Sequence, residues 1–153
     1  MLWGEKPYYS LDYYLKQTFG SKTYKASLDA GFTCPNRDGT IGRGGCIFCS
    51  RGGSGEFAGS RALSITEQID SQIEKLGSFH AKQYIAYYQA FTNTYADLDY
   101  LRRVYEPSFL HEKVAVVDIA TRPDCVGEDE CRRPQGRDRG EKIPAEHGNA
   151  VGG

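Results

Sequence analysis

The chain has 153 residues, which by the usual prior is the length of one domain. Its 19 basic and 20 acidic residues nearly cancel, so no overall basic field marks a nucleic-acid binder, although a local patch would be masked in this sum. No apolar run follows Met1 and no stretch is long enough to cross a bilayer, which predicts a cytoplasmic protein without a membrane partner, whose five cysteines stay reduced.

The first part of the chain is an aromatic-rich extension over residues 1–23. Apolar and aromatic residues at helical spacing predict a helix over Leu11–Phe19, with Ser10 as its N-cap and Gly20 as its stop. A short strand is expected over 24–30, and it runs directly into a loop of turn-forming residues. In parallel α/β folds, binding sites form beyond the carboxyl ends of strands, so this loop is where chemistry is expected.

The loop contains three cysteines, Cys34, Cys46 and Cys49, in a C-x11-C-x2-C pattern. Thiolates are soft ligands that select zinc, copper(I) or iron–sulfur clusters. A structural zinc site and an ordinary iron–sulfur cluster each take four protein ligands, so three thiolates leave one metal position free for a non-protein group. A small zinc-binding module remains an alternative, and three residues elsewhere could complete its site: His80, His111 and Cys125.

Strand and helix patterns alternate after the loop, which predicts parallel βαβ units. The expected elements are a helix over 64–77 with a Ser64–Glu67 capping box and an apolar stripe, a buried strand over 83–90, a helix over 98–110 capped by Asp97 and ended or kinked by Pro107, and a strand over 113–120.

Four blocks of sequence in this order carry a resemblance to a known family: LDAGFTCPNRDGT (28–40), GCIFC (45–49), QAFTNTY (89–95) and ATRPDC (120–125). On these blocks the chain resembles the N-terminal part of a radical S-adenosylmethionine (SAM) protein. The group in question is the bacterial elongator-like one, which has an unusually long first cysteine gap. The resemblance covers roughly residues 1–126 and implies an α/β fold, the N-terminal portion of a partial (β/α) barrel over 24–126.

The resemblance implies that Cys34, Cys46 and Cys49 ligate a [4Fe–4S] cluster whose fourth iron binds SAM. One electron would then split SAM into methionine and a 5′-deoxyadenosyl radical. It further implies a tRNA substrate, and an electron donor such as flavodoxin or ferredoxin. The implied SAM-binding and cluster-adjacent residues are Phe48, Gly52, Gly53, Thr92, Asn93, Thr94 and Arg122.

Each of these residues also has a purely structural interpretation. Phe48 would pack within the loop, the glycines would form a flexible turn, and the Thr92–Thr94 segment would cap a helix. Arg122 would form a salt bridge with Asp124 or Asp118.

The composition changes at Gly127. All eleven tyrosines and seven phenylalanines lie before residue 110, and residues 127–153 show neither helical nor strand periodicity. These residues are therefore expected to be a disordered or frameshifted tail on a truncated barrel. An inactive fragment is the corresponding alternative function.

Overall fold

The computed structural model describes residues 2–77 and 81–128 of the chain. The helices and strands alternate along it: α1 (Leu11–Phe19), β1 (Thr23–Leu28), α2 (Ile65–Lys75), β2 (Gln83–Tyr88), α3 (Leu98–Leu110) and β3 (Val114–Ile119). A short 3₁₀ turn, Pro123–Cys125, follows β3. The predicted α/β class is confirmed. The expected tail over 127–153 lies outside the described residues from position 129 onward.

The strands form one open sheet in the order β1-β2-β3, and both neighbouring pairs are parallel. The part of the chain described here therefore shows a three-stranded parallel sheet and no barrel. The register pairs Leu28 with Tyr88 and Tyr88 with Ile119, so the carboxyl ends of all three strands lie at one edge. The segments that leave those ends are consequently neighbours in space.

One face of the sheet carries the hydrophobic core. Leu28, Ala86, Tyr88 and Val117 are buried there against side chains of α2 and α3, among them Ile69, Leu101 and Tyr105. Successive side chains of a strand point to opposite faces of the sheet, so the second face carries the alternate residues of each strand. On it, Lys25 Nζ lies 2.9 Å from Asp118 Oδ2 and 3.7 Å from the ring centroid of Tyr87.

Side-chain caps fix the start of every helix, as the sequence predicts. Ser10 Oγ accepts from the N–H of Tyr13, and Asp97 accepts from the N–H of Tyr100. Ser64 and Glu67 form the complete capping box at the start of α2. Helix α1 ends at Gly20, whose φ of 69° is the left-handed conformation that favours glycine.

Pro107 does not end its helix, because α3 continues through it to Leu110, the end that the sequence predicts. The reason is tertiary packing of the last turn. The hydroxyl of Tyr88 on β2 lies 2.6 Å from Oγ of Ser108, which is fully buried. The carbonyl of Pro107 still accepts from the N–H of His111, so the turn keeps its hydrogen bond beyond the proline.

Candidate functional site

Main-chain hydrogen bonds join the three segments that leave the carboxyl edge of the sheet. The N–H of Thr92 donates to the carbonyl of Thr33 at 3.2 Å, which ties the segment after β2 to the start of the cysteine loop. The N–H of Asn93 donates to the carbonyl of Ala120 at 3.2 Å, which ties it to the segment after β3. The first cysteine, the Thr92–Thr94 segment and Arg122 are thereby brought together.

Cys34 lies at the centre of this junction. Burial acts to raise the pKa of its thiol, but the Thr92 hydroxyl, the Asn36 main-chain N–H and the Arg122 guanidinium all interact with the sulfur. Together they hold the pKa of Cys34 below its ordinary value. A thiol with a lowered pKa is more readily the thiolate that binds a soft metal.

Arg122 has a second partner in this structure. Its guanidinium donates to both carboxylate oxygens of Asp124, at 2.9 and 2.6 Å, so the expected salt bridge to Asp124 is present. The carboxylate raises the pKa of Arg122 and in turn has its own pKa lowered. Arg122 therefore connects Cys34 to Asp124, and its planar fork is already occupied by an anion.

The eleven residues between Cys34 and Cys46 form a folded unit. The carbonyl of Cys34 accepts from the N–H of Arg37 at 2.8 Å, and the carbonyl of Pro35 accepts from Ile41 at 2.8 Å. The N–H of Gly45 returns to the carbonyl of Asn36 at 2.9 Å. These turns bring the second half of the gap back beside the first cysteine.

Cys46 and Cys49 share a turn, since the N–H of Cys49 donates to the carbonyl of Cys46 at 3.0 Å. The side-chain amide of Asn36 lies 3.2 Å from the sulfur of Cys46. Asn36, which also lies beside Cys34, thus connects the sulfur of Cys46 to the first cysteine.

Arg37 holds the second half of the loop in place, a role that the sequence analysis did not assign to it. Its guanidinium donates to the carbonyls of Cys49, Ser50 and Arg51. It also lies 5.3 Å from the ring centroid of Phe91. A signal that could have indicated it is an arginine in a loop of turn residues, where carbonyl groups have no helix or strand partners.

Gly53 and Phe91 make the closest approach in the site. Gly53 is buried with φ of 63°, and a Cβ placed on it would lie 2.6 Å from the Phe91 ring. Its carbonyl accepts from the N–H of Phe91 at 3.0 Å, and its own N–H donates to Ser50. Phe91 itself has φ of 65°, which is uncommon for a large side chain and marks a constrained position.

The remaining predicted residues differ widely in exposure. The ring of Phe48 is 86% exposed and Gly52 is exposed, whereas Thr92 and Asn93 are buried. The side-chain amide of Asn93 donates to the carbonyls of Tyr88 and Ala120, so it ties β2 to β3. Its buried Oδ1 has no hydrogen-bond partner among the described residues.

Thr94 lies at the rim of a depression. Its hydroxyl contacts the hydroxyl of Thr121 and the carbonyl of Cys125. The depression is open and has a volume of about 510 Å³, which is within the range of ligand pockets. It is lined by Thr94, Tyr95, Ala96, Asp124, Cys125, Val126 and Gly127.

The thiols fit a soft metal by chemistry, but they are not gathered around one point. Within residues 2–77 and 81–128, no three His, Cys, Asp or Glu side chains come together as a metal-binding group. Of the residues that could complete a zinc site, Cys125 lies near Cys34, which adds to burial and Asp124 in raising the pKa of the Cys125 thiol. His111 has a side chain only 9% exposed, and its Nε2 lies 3.2 Å from Oδ1 of Asp70. His80 lies outside the described residues, as does Cys131.

No helix in the described part of the chain is both long enough and apolar enough to cross a membrane. The fold and the loop define an α/β protein with a three-cysteine loop after its first strand. The chain is similar to segments of proteins from three organisms. It is 47% identical over 129 residues to the uncharacterized protein YtqA of Bacillus subtilis (strain 168), covering 82% of this chain and 39% of that protein.

Over 112 residues the chain is 42% identical to the protein YhcC of Escherichia coli (strain K12), covering 73% of this chain and 35% of YhcC. It is 33% identical over 116 residues to the uncharacterized protein MJ0486 of Methanocaldococcus jannaschii, covering 74% of this chain and 34% of that protein. The chain thus spans little more than a third of these relatives. No family model matches it, and no solved structure does.

These findings correct the family assignment made from the four sequence blocks. The relatives are YtqA, YhcC and MJ0486, whose names state no activity, and no radical SAM family model matches the chain. The thiols of the described residues do not form a metal-binding group either. The assignment to the radical SAM group was wrong on these findings, so any function must be argued from this chain's own residues.

Proposed function

We propose that the three-cysteine loop binds a [4Fe–4S] cluster through Cys34, Cys46 and Cys49, and that SAM is the ligand of the remaining iron. The observation that carries this proposal is the environment of Cys34, a thiol with a lowered pKa at the carboxyl edge of a parallel sheet. Coordination requires the turn that holds Cys46 and Cys49 to move toward Cys34, since the three sulfurs are not gathered in the structure.

A bound cluster of this kind would supply one electron, which cleaves a carbon–sulfur bond of SAM to give methionine and a 5′-deoxyadenosyl radical. The chain's own residues would orient the two groups. Arg122 offers a guanidinium that can exchange Asp124 for the SAM carboxylate. Thr94 offers a hydroxyl at the rim of the depression, where a SAM-sized ligand has room. Asn93 would act through the strands that it ties together.

Three further points belong to the same proposal. The electron donor would be a flavodoxin or a ferredoxin, and the cytoplasm would keep the thiols reduced. The three-stranded sheet would be part of a larger barrel, for which the greater length of the relatives leaves room. A tRNA is the substrate to test, because residues 34–63 carry four arginines against two acidic residues in a chain whose net charge is −1.

A zinc module is the second candidate, and one observation favours it. Beyond burial and Asp124, the Cys34 thiol also acts to raise the pKa of Cys125, so a fourth thiol lies in the region of the first. Four cysteines would close a structural zinc site with no open position. The two candidates therefore make opposite predictions for Cys125.

The experiment is anaerobic iron–sulfur reconstitution of the chain and of two variants, Cys34→Ser and Cys125→Ser, with iron, sulfide and zinc analysis. Our proposal predicts about four irons per chain in the parent and in Cys125→Ser, and none in Cys34→Ser. Electron paramagnetic resonance of the reduced cluster should change when SAM is added. Tightly bound zinc that is lost in both variants would refute the cluster and favour the zinc module.

A further inference from the structure

Asn36 contacts residues on both sides of the eleven-residue cysteine gap. Its main-chain N–H lies close enough to the sulfur of Cys34 to act, with the Thr92 hydroxyl, against the effect of burial on the pKa of that thiol. Its side-chain Nδ2 lies 3.2 Å from the sulfur of Cys46, and its carbonyl accepts from the N–H of Gly45 at 2.9 Å. One residue thus holds the two halves of the loop together through its main chain and its side-chain amide nitrogen.

The short side chain reaches Cys46 because the loop folds back immediately after it. The carbonyl of Pro35 accepts from the N–H groups of Ile41 and Gly42, at 2.8 and 3.1 Å, which reverses the chain. Asparagine suits this position because its amide nitrogen is a donor, whereas the oxygens of an ionised aspartate of the same shape only accept. Hydrogen bonds to sulfur orient a thiolate and tune the reduction potential of a cluster that it holds.

We infer that Asn36 is the positioning residue of the thiol site, which sets the separation of the Cys34 and Cys46 sulfurs and donates an N–H to each. The inference rests on the proposed function for the kind of group bound. The contacts themselves belong to the metal-free chain and can be tested there.

The first test uses the metal-free chain. Asn36→Leu and Asn36→Asp both remove the donor to Cys46, and Asp38→Asn is the matched control, because its side chain keeps the oxygen that accepts from the N–H of Thr40. The measurement is alkylation by iodoacetamide at alkaline pH, where free thiols are ionised, with each cysteine followed by mass spectrometry. Without its donor, the Cys46 thiolate of Asn36→Leu should react several-fold faster relative to Cys49, while Asp38→Asn keeps the parent ratio.

The near-isosteric Asn36→Asp variant covers the case in which leucine disturbs the loop. It should also raise the Cys46 to Cys49 ratio above that of the parent, with an unchanged far-ultraviolet circular dichroism spectrum. A ratio equal to that of the parent in both folded variants would overturn the inference.

The second test uses the reconstituted protein and a redox titration followed by electron paramagnetic resonance. Asn36→Asp should shift the midpoint potential of the cluster to a more negative value at full iron content, because it removes a donor and adds a negative charge. An unchanged potential would overturn the inference. If the parent chain takes up no cluster, the proposed function fails, and the alkylation ratio alone decides the role of Asn36.

Discussion

Replacing Gly53 with alanine should destabilise the loop more than any other single methyl group added to it. Gly53 has φ of 63°, a conformation that L-residues with a side chain rarely adopt. A Cβ at this position would also lie 2.6 Å from Cγ of Phe91 and 2.8 Å from its main-chain nitrogen. The guanidinium groups of Arg37 and Arg61 lie 5.3 and 5.8 Å from the ring centroid, which restricts the room into which the ring could move.

The magnitude follows from these two effects. A left-handed conformation costs alanine roughly 1–2 kcal/mol, and forcing an extra methyl group into packed surroundings costs roughly 1–3 kcal/mol. Gly53→Ala should therefore lower the free energy of unfolding by about 3 kcal/mol, a large part of the roughly 5–15 kcal/mol that stabilises a typical domain. At about 4 °C per kcal/mol, the midpoint temperature should fall by about 12 °C.

Three other glycines separate the two effects in thermal unfolding followed by circular dichroism. Gly20→Ala tests the left-handed φ alone, since no atom lies within 4 Å of its Cβ, and should cost about 1 kcal/mol. Gly59→Ala tests the clash alone, with its Cβ 2.5 Å from Gln68 Oε1. Gly44→Ala has neither and should stay within about 0.5 kcal/mol of the parent. A Gly53→Ala midpoint equal to that of Gly44→Ala would refute the reasoning.

Three more predictions follow from the contacts. Tyr88→Phe should lower the free energy of unfolding in urea by about 1–3 kcal/mol, because it leaves the buried Ser108 hydroxyl without its 2.6 Å partner. A decrease of less than about 0.5 kcal/mol would contradict this. Iodoacetamide should label Cys34 at lower pH than Cys125, because the pKa of Cys34 is lowered, whereas burial and the neighbouring Asp124 raise that of Cys125. Labelling of Cys125 at the lower pH would contradict these two pKa directions. Ser64→Ala should lose about 1 kcal/mol through its capping box, which equilibrium unfolding can measure against Ser54→Ala.

The elements were predictable from local chemistry. Each helix starts at the cap that its sequence indicates, Ser10, Ser64 or Asp97, because these side chains satisfy N–H groups within three residues of themselves. The strand ends that the sequence predicts lie within two residues of those in the structure. Signals of this kind involve only neighbours in the chain, so no knowledge of the fold is needed to read them.

Contacts between distant residues were not predictable in this way. The apolar stripe of α2 gives no reason for Gln68 to be 1% exposed, yet it is. Its side chain donates to the carbonyls of Asp29 and Leu63 and accepts from the N–H of Asp29. It thus satisfies main-chain groups at the end of β1 that the sheet leaves unpaired. Pro107 does not end α3 for a similar reason, since packing of the following Ser108 on β2 outweighs the local preference of proline.

The cysteine loop shows most clearly what a composition of turn residues leaves undecided. Closing an eleven-residue gap rather than a two-residue one costs only about 1.5 kcal/mol in chain entropy. Main-chain hydrogen bonds within the gap include those from Arg37, Ile41 and Gly45, and each contributes roughly 0.5–1.5 kcal/mol. These hydrogen bonds make the gap a folded element rather than the flexible tether that its glycines indicate. The separation of Cys34 from Cys46 is therefore a property of specific side chains, above all Asn36, and not of gap length.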